Sequence, residues 1–278
     1  MKKSLLTKTL LSLAALMTIN ACSQSAETAQ VSVPFTMTAS SSAPTVAKMT
    51  PFQKILEYIL PSAYAFVPSS MVDSNGLVIT LTDAWVMIDT IEFEAEEVAG
   101  VEEVDGDEAE FTGPYAVDLL STTATVLDTQ LIPQIPFKRI KMKLHMAESA
   151  VSGAPAGLLN NSIYITGSIG ANSFTYQSDE ETEVEVGGPN AVLPVDGQGI
   201  AVEIQLANVF KQIDLSAIPN GAVISASNRY AGLNLCPAID ASASDVFTCV
   251  RNGLEQEADC GSDEDGDGDL EADEDSVN

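Results

Sequence analysis

Apolar and polar residues alternate with period two through most of residues 77 to about 215. The runs "LVITL", "MIDTIEFEAE", "YAVDLL", "FKRIKMKLHM", "SIYITGSI", "FTY", "TEVEV" and "IAVEIQLANVF" each place apolar side chains on one face, the mark of half-buried strands. Between them "DSNG", "SGAPAG", "GGPN" and "PVDGQG" supply turn chemistry. About 140 residues are enough for one two-layer core. Several short strands without intervening long helices therefore predict an all-β fold, an antiparallel β-sandwich spanning residues 70–217.

Outside that block the pattern changes. In "PFQKILEYILPSAYAFVP", Phe52, Ile55, Leu56 and Ile59 recur at helical spacing behind Pro51, and Pro61 stops the run. This predicts a short helix within 51–66, packed on the edge of the domain or lying against a membrane surface. Lys54 is its lone cation, which favours the domain edge, since membrane-surface helices usually carry several. Residues 22–50 are mostly Ser, Thr, Ala, Gln and Val with almost no aromatic side chain, a composition that predicts a flexible tether reaching about 30 Å. Residues 218–260 read as a cysteine-containing extension and 261–278 as an acidic tail, and the tether and the tail are the ends expected to be disordered.

The first residues, "MKKSLLTKTLLSLAALMTINAC", set Lys2, Lys3 and Lys8 before a short apolar run and then small residues, the order of parts in an export signal. The run is too short for a stable membrane span, which needs about 20 apolar residues. "INAC" resembles the lipobox of bacterial lipoproteins, and the resemblance implies a signal peptide over 1–21 and lipidation of Cys22. Two or more acyl chains anchor a soluble domain stably. Ser23 in the following position implies delivery to the outer membrane, so the expected location is the bacterial cell envelope.

Charge narrows the partners. The chain carries 12 Lys plus Arg against 40 Asp plus Glu, a net −28. Removing 1–21 takes three lysines and no acid, leaving nine cations and a net −31. Such a surface repels nucleic acid and favours metal cations or basic partners.

The series "LVITLTDA", "IDTIEFE", "YAVDLL", "PFKRIKMKL" and "IYITGSI" resembles an uncharacterised domain family of bacterial lipoproteins, over about half of the chain. The resemblance implies an immunoglobulin-like or transthyretin-like sandwich, with no known activity and no functional residue to carry over.

Candidate chemistry is sparse. "FKRIKMKLHM" sets Ile140, Met142, Leu144 and Met146 on one face and Arg139, Lys141, Lys143 and His145 on the other. The cationic face is either an anion-binding stripe or the cross-strand partner of Glu92, Glu94 and Glu96, and the abundance of carboxylates favours the second. His145 is the only histidine, and no G-x-S-x-G, H-E-x-x-H or phosphate loop is present. The expectation is a non-enzymatic binding or structural module facing a protein or glycan on the cell surface. The competing reading is a carbohydrate-binding module or hydrolase with a cleft near the cationic strand and Trp85, although a lone tryptophan more often packs than binds.

Cys236, Cys249 and Cys260 remain after Cys22, and export favours disulfides. Three cysteines permit three single pairings and leave one thiol over. A Cys236–Cys249 bond would close a loop of about a dozen residues and contribute about 3 kcal/mol. A zinc site would want closer C-x-x-C spacing.

"DEDGDGDLEADE" matches the twelve-residue EF-hand calcium loop position by position. Asp263, Asp265 and Asp267 stand at positions 1, 3 and 5, Asp269 at 7 through its carbonyl, Glu271 at 9 through water and Glu274 at 12 as the bidentate ligand. Gly268 takes the glycine position and Leu270 the apolar one. Asp275 and three further residues leave no exiting helix, so the loop resembles the helix-poor calcium loops of dockerin-like or thrombospondin-type repeats. Ordering about a dozen residues without flanking helices predicts weak calcium binding, about 10⁻⁴ to 10⁻³ M.

Overall fold

The computed structural model describes residues 29–40, 71–95, 109–121 and 123–263. Two sheets face each other as a sandwich. The smaller contains β1 (Gln30–Ser40), β5 (Thr125–Pro133), β10 (Gly199–Gln205) and β12 (Ala258–Asp263), in the order β12-β10-β1-β5. The larger is built on β3 (Val78–Ala95), an 18-residue strand that joins β2 (Met71–Val72), β4 (Ala109–Asp118), β6 (Phe137–Leu144) and β7 (Ile163–Ile169). It is extended by β8 (Asn172–Ser178), β9 (Thr182–Val192) and β11 (Ala222–Ile224). Pairing is mainly antiparallel, with β1–β10 and β8–β11 parallel.

"LVITL" and "MIDTIEFEAE" are one strand. β4 runs along one edge of β3 from Trp85 to Phe93, while the other edge is shared end to end. There β7 pairs with Ile79 to Val86 and β6 with Ile88 to Ala95. The hand-over falls at Met87, whose N–H donates to the Ser162 carbonyl (2.8 Å) and whose carbonyl accepts from His145 N–H (3.1 Å). Register shifts between Leu81 and Asp83 and between Ile88 and Thr90 add residues to β3. The buried positions accordingly change phase, from Ile79 to Ala84, Val86 and Ile88, then to Ile91 and Phe93.

Phe35 of β1 meets Phe93 and Phe111 across the interlayer space, with ring centroids 5.4 and 5.6 Å apart, and Phe93 meets Phe137 of its own sheet at 5.4 Å. Edge-to-face aromatic pairs of this kind add about 0.5–1.5 kcal/mol beyond the area they bury.

Three expectations are corrected. The stretch read as tether contains β1, because Val31, Val33, Phe35 and Met37 alternate within it and all are buried. Its composition is polar on average, yet its period-two face is apolar, and β5 and β10 pair with both edges. "IAVEIQLANVF" is not one strand: β10 ends at Gln205 and α1 (Leu206–Lys211) follows, with Leu206, Val209 and Phe210 buried at helical spacing. "GGPN" is not a turn between strands but an irregular part of β9, where the register opposite β6 jumps from Gly187 at Arg139 to Val192 at Phe137.

The region read as an extension shares the same core. β11 adds to β8, α2 (Val246–Gln256) buries Val246, Phe247, Val250 and Leu254, and β12 pairs with β10. Asp245 caps α2 by accepting the Thr248 N–H at 2.7 Å. The helix expected within 51–66 lies outside the described residues.

Candidate functional site

The cationic strand forms an ion-pair ladder. β6 lies between β3 and β9, with Glu94 opposite Arg139, Glu92 opposite Lys141, and Glu185 and Glu183 opposite Lys141 and Lys143. Alternation turns Ile140, Met142 and Leu144 into the core and the cations outward. Glu94 holds two of them: Arg139 Nη1 donates to its Oε2 at 3.1 Å, and Lys141 Nζ pairs with its Oε1. Arg139 Nε reaches Glu185 Oε1 at 3.0 Å, Lys143 pairs with Glu92, and His145 Nε2 lies 3.4 Å from Glu181 Oε1. The hydrogen bond to Glu94 raises the Lys141 pKa, and that to Glu92 raises the Lys143 pKa. These cations are engaged by neighbouring strands, whereas Glu96, read with Glu92 and Glu94, lies outside the described residues.

Trp85 is in the middle of β3. It packs with Tyr164, Ala116, Val151 and Ala154 against buried Met87, Ala147 and Leu158, a small cluster separate from the main core. Ala84 and Val86 point the opposite way into that core.

Cys236 and Cys249 form a disulfide across a separation of 13 residues. It ties the loop before α2 to the helix itself. Cys260, on β12, is a buried free thiol, and burial followed by the Asp259 charge pushes its pKa well up. Among the described residues no group of three His, Cys, Asp or Glu is placed to hold a metal. Of the proposed calcium ligands, Asp263 is the last residue of β12 and pairs with Gly199. Asp265, Asp267, Asp269, Glu271 and Glu274 lie outside the described residues, as does Cys22.

Sequence reasoning missed a clamp at Glu180. Its Oε1 accepts from Arg229 Nη2 at 2.6 Å and its Oε2 from Arg251 Nη1 at 2.9 Å. The Arg229 guanidinium also lies 4.5 Å from the centre of the Phe247 ring, on which Tyr176 stacks at 5.4 Å. Side chains 49 and 71 residues away from Glu180 thus converge on it, and no local motif marks them.

Two cavities were equally illegible. The first, about 410 Å³, is bordered by Glu185 on β9, Asp240 and Asn252, with Glu255 on α2. Asn252 Nδ2 donates to Asp240 Oδ2 at 3.0 Å, and the Ser242 hydroxyl and N–H hold the Asp240 carboxyl below its usual range. Glu255 shifts the other way, raised mainly by burial and further by Glu185 and Glu183, against the lowering influence of Arg251. The second cavity, about 530 Å³, opens where the β2–β3 turn, α1, the loop after Cys236 and the end of α2 meet. Neither is lined by Trp85, Arg139, Lys141 or His145.

No family model matches the chain, and no curated protein matches it. Among solved structures, MbnP from Methylosinus trichosporium aligns over 85% of this chain and 99% of its own, at 13% identity and a TM-score of 0.35, a likeness too slight to carry an argument. Among the described residues no helix is long and apolar enough to cross a membrane.

Proposed function

We propose that the protein is a lipid-anchored component of the bacterial cell envelope, held through Cys22 in the outer membrane, whose sandwich is a non-enzymatic binding or structural module carrying a weak calcium loop. One geometric relationship supports this reading. β1 and β10 run parallel and β12 runs antiparallel to both, so β12 finishes at the end of the sheet where β1 starts. Asp263 pairs with Gly199, the neighbour of Ile200, which stands opposite Phe35. The first proposed calcium ligand is therefore level with Pro34, a few residues from Gln30. Cys22 precedes Gln30 by eight residues, a reach of at most about 28 Å. The described strand ends that lead to the anchor and to the acidic loop, Gln30 and Asp263, lie toward one end of the sandwich, and calcium bound by that loop would act between the domain and whatever faces it across the membrane surface, a protein or a glycan.

The reading is tested in two parts. Cys22→Ser should move the protein from the membrane to the soluble fraction, and retention in the membrane would exclude the anchor. Calorimetric titration of the full chain carrying Cys22→Ser should show one saturable calcium site of about 10⁻⁴ to 10⁻³ M that Asp263→Asn with Glu274→Gln abolishes. Diffuse, salt-sensitive binding unchanged by that pair would reduce the loop to an acidic spacer.

A further inference from the structure

The larger cavity lies where four segments meet, and hydrogen bonds between those segments, several of them made by lining residues, fix their positions. Ser74 N–H donates to the Ile213 carbonyl at 3.0 Å and Asp214 N–H to the Leu235 carbonyl at 2.7 Å, joining the β2–β3 turn, α1 and the loop around the disulfide. Gln212 Nε2 donates to Glu257 Oε1 at 2.5 Å, joining α1 to the end of α2. Asp73, itself buried, accepts the Leu215 N–H as well as those of Asn75 and Leu77. Pro237 follows the bonded Cys236 directly. Such cross-ties hold a binding surface in place before a ligand arrives.

The lining has a distinct chemistry. Asn75, Asn208, Gln212 and Asn234 contribute carboxamides, Ser74 a hydroxyl and Lys211 an ammonium group. Asn234 adopts a left-handed backbone at φ 54, and its carboxamide has no hydrogen-bond partner among the described residues. Lys211 makes no ion pair among the described residues, in contrast to the three cations of the β6 ladder and the two arginines on Glu180. Asp214 and Glu257 complete the wall, the former held below the usual carboxylate range by the Ser216 hydroxyl and N–H and by Asn75.

Each simpler ligand class meets an obstacle. A small anion would face two carboxylates, a divalent cation would face Lys211, and an apolar molecule would cover the exposed Lys211 and Asn234 without replacing the water they bind. A ligand rich in hydroxyls meets none of these. Hydroxyls donate and accept at once, as carboxamides do, and they also satisfy carboxylates and ammonium groups. Pro237 and Ala238 offer an apolar patch for the C–H face of a sugar ring, and about 530 Å³ falls within the usual range for a small-molecule site. We infer that this cavity is a carbohydrate-binding site, reading a glycan by its hydroxyls through Asn234, Lys211 and the Oδ1 of Asn208, whose Nδ2 donates to Gln205 Oε1. It goes beyond the anchored calcium module and needs neither lipid nor calcium.

The test is backbone-amide NMR of the full chain carrying Cys22→Ser, in a calcium chelator, titrated with maltose, cellobiose, lactose and N,N′-diacetylchitobiose at millimolar concentration. Saturable shifts confined to residues 74–75, 208–212 and 234–238 are expected with at least one sugar. Asn234→Gly keeps the left-handed backbone and removes only the amide, and Lys211→Met keeps the stem and removes only the charge. At least one of them should weaken binding about tenfold, while Arg139→Gln on the cationic strand leaves it unchanged. No saturable shift with any of the four, shifts mapping elsewhere, or affinity that survives both substitutions would overturn the inference. Because the chelator removes calcium throughout, failure of the calcium loop and failure of this site are separate results.

Discussion

Phe35 of β1 stands edge-on to Phe93 of β3, ring centroids 5.4 Å apart and planes at 86°, and both side chains are fully buried. A residue from a stretch of Ser- and Thr-rich composition is thereby part of the contact that joins the two sheets. Phe35→Ala should cost about 3–5 kcal/mol through lost burial and the cavity left behind. Chemical denaturation would measure it, and a loss under about 1 kcal/mol would mean that β1 is peripheral.

The disulfide and the remaining thiol behave differently. Replacing Cys236 and Cys249 together by alanine should cost about 3 kcal/mol, as expected for release of a short loop. In the native protein carrying Cys22→Ser, Cys260 should resist alkylation at neutral pH, because it is buried and its thiolate is disfavoured. Unfolding without reductant should expose one reactive thiol, mapped to Cys260 by mass spectrometry, and a label on Cys236 or Cys249 would contradict the pairing.

The Glu180 clamp should be worth more than a surface ion pair. Its side chain is 30% exposed and those of Arg229 and Arg251 are 37% and 31%. Glu180→Gln leaves two half-buried arginines facing each other and should cost about 1–3 kcal/mol, between the exposed and buried limits. Arg229→Lys keeps the charge but loses the planar contact with Phe247, so it should also destabilise, by less. A stability equal to the parent for both variants would show that the clamp contributes nothing.

Glu255 gives a pH dependence of unusual sign. Its folded pKa is raised, first by burial, so the folded state holds that proton more tightly than the unfolded state does. The resulting stabilisation is complete below the unfolded value and is lost as pH rises through the folded one. At neutral pH the folded state disfavours the Glu255 charge, and Glu255→Gln should raise the melting temperature there while having little effect in acid. A lower melting temperature for the variant at pH 7 would refute this. Lys141 and Lys143 are also raised, by their partners Glu94 and Glu92, so the ladder's contribution should hold through neutral pH and fade as the solution passes the raised lysine values.

The sequence by itself determined the strands whose two faces differ, since alternation is a property of neighbours along one chain. "FKRIKMKL" is a strand with its apolar face inward and its cations on glutamates of flanking strands, as the pattern predicts. The pairing of Cys236 with Cys249, left open among three, was settled by the fold. So were the union of two alternating runs in β3, the choice of β5 and β10 as the partners of β1 and the placement of Cys260 on a core strand, because each depends on which edge a strand finds as well as on its own residues. The large cavity follows the same logic: Asn75, Asn208 and Asn234 are ordinary polar residues in three unrelated segments, and only tertiary contacts make them neighbours.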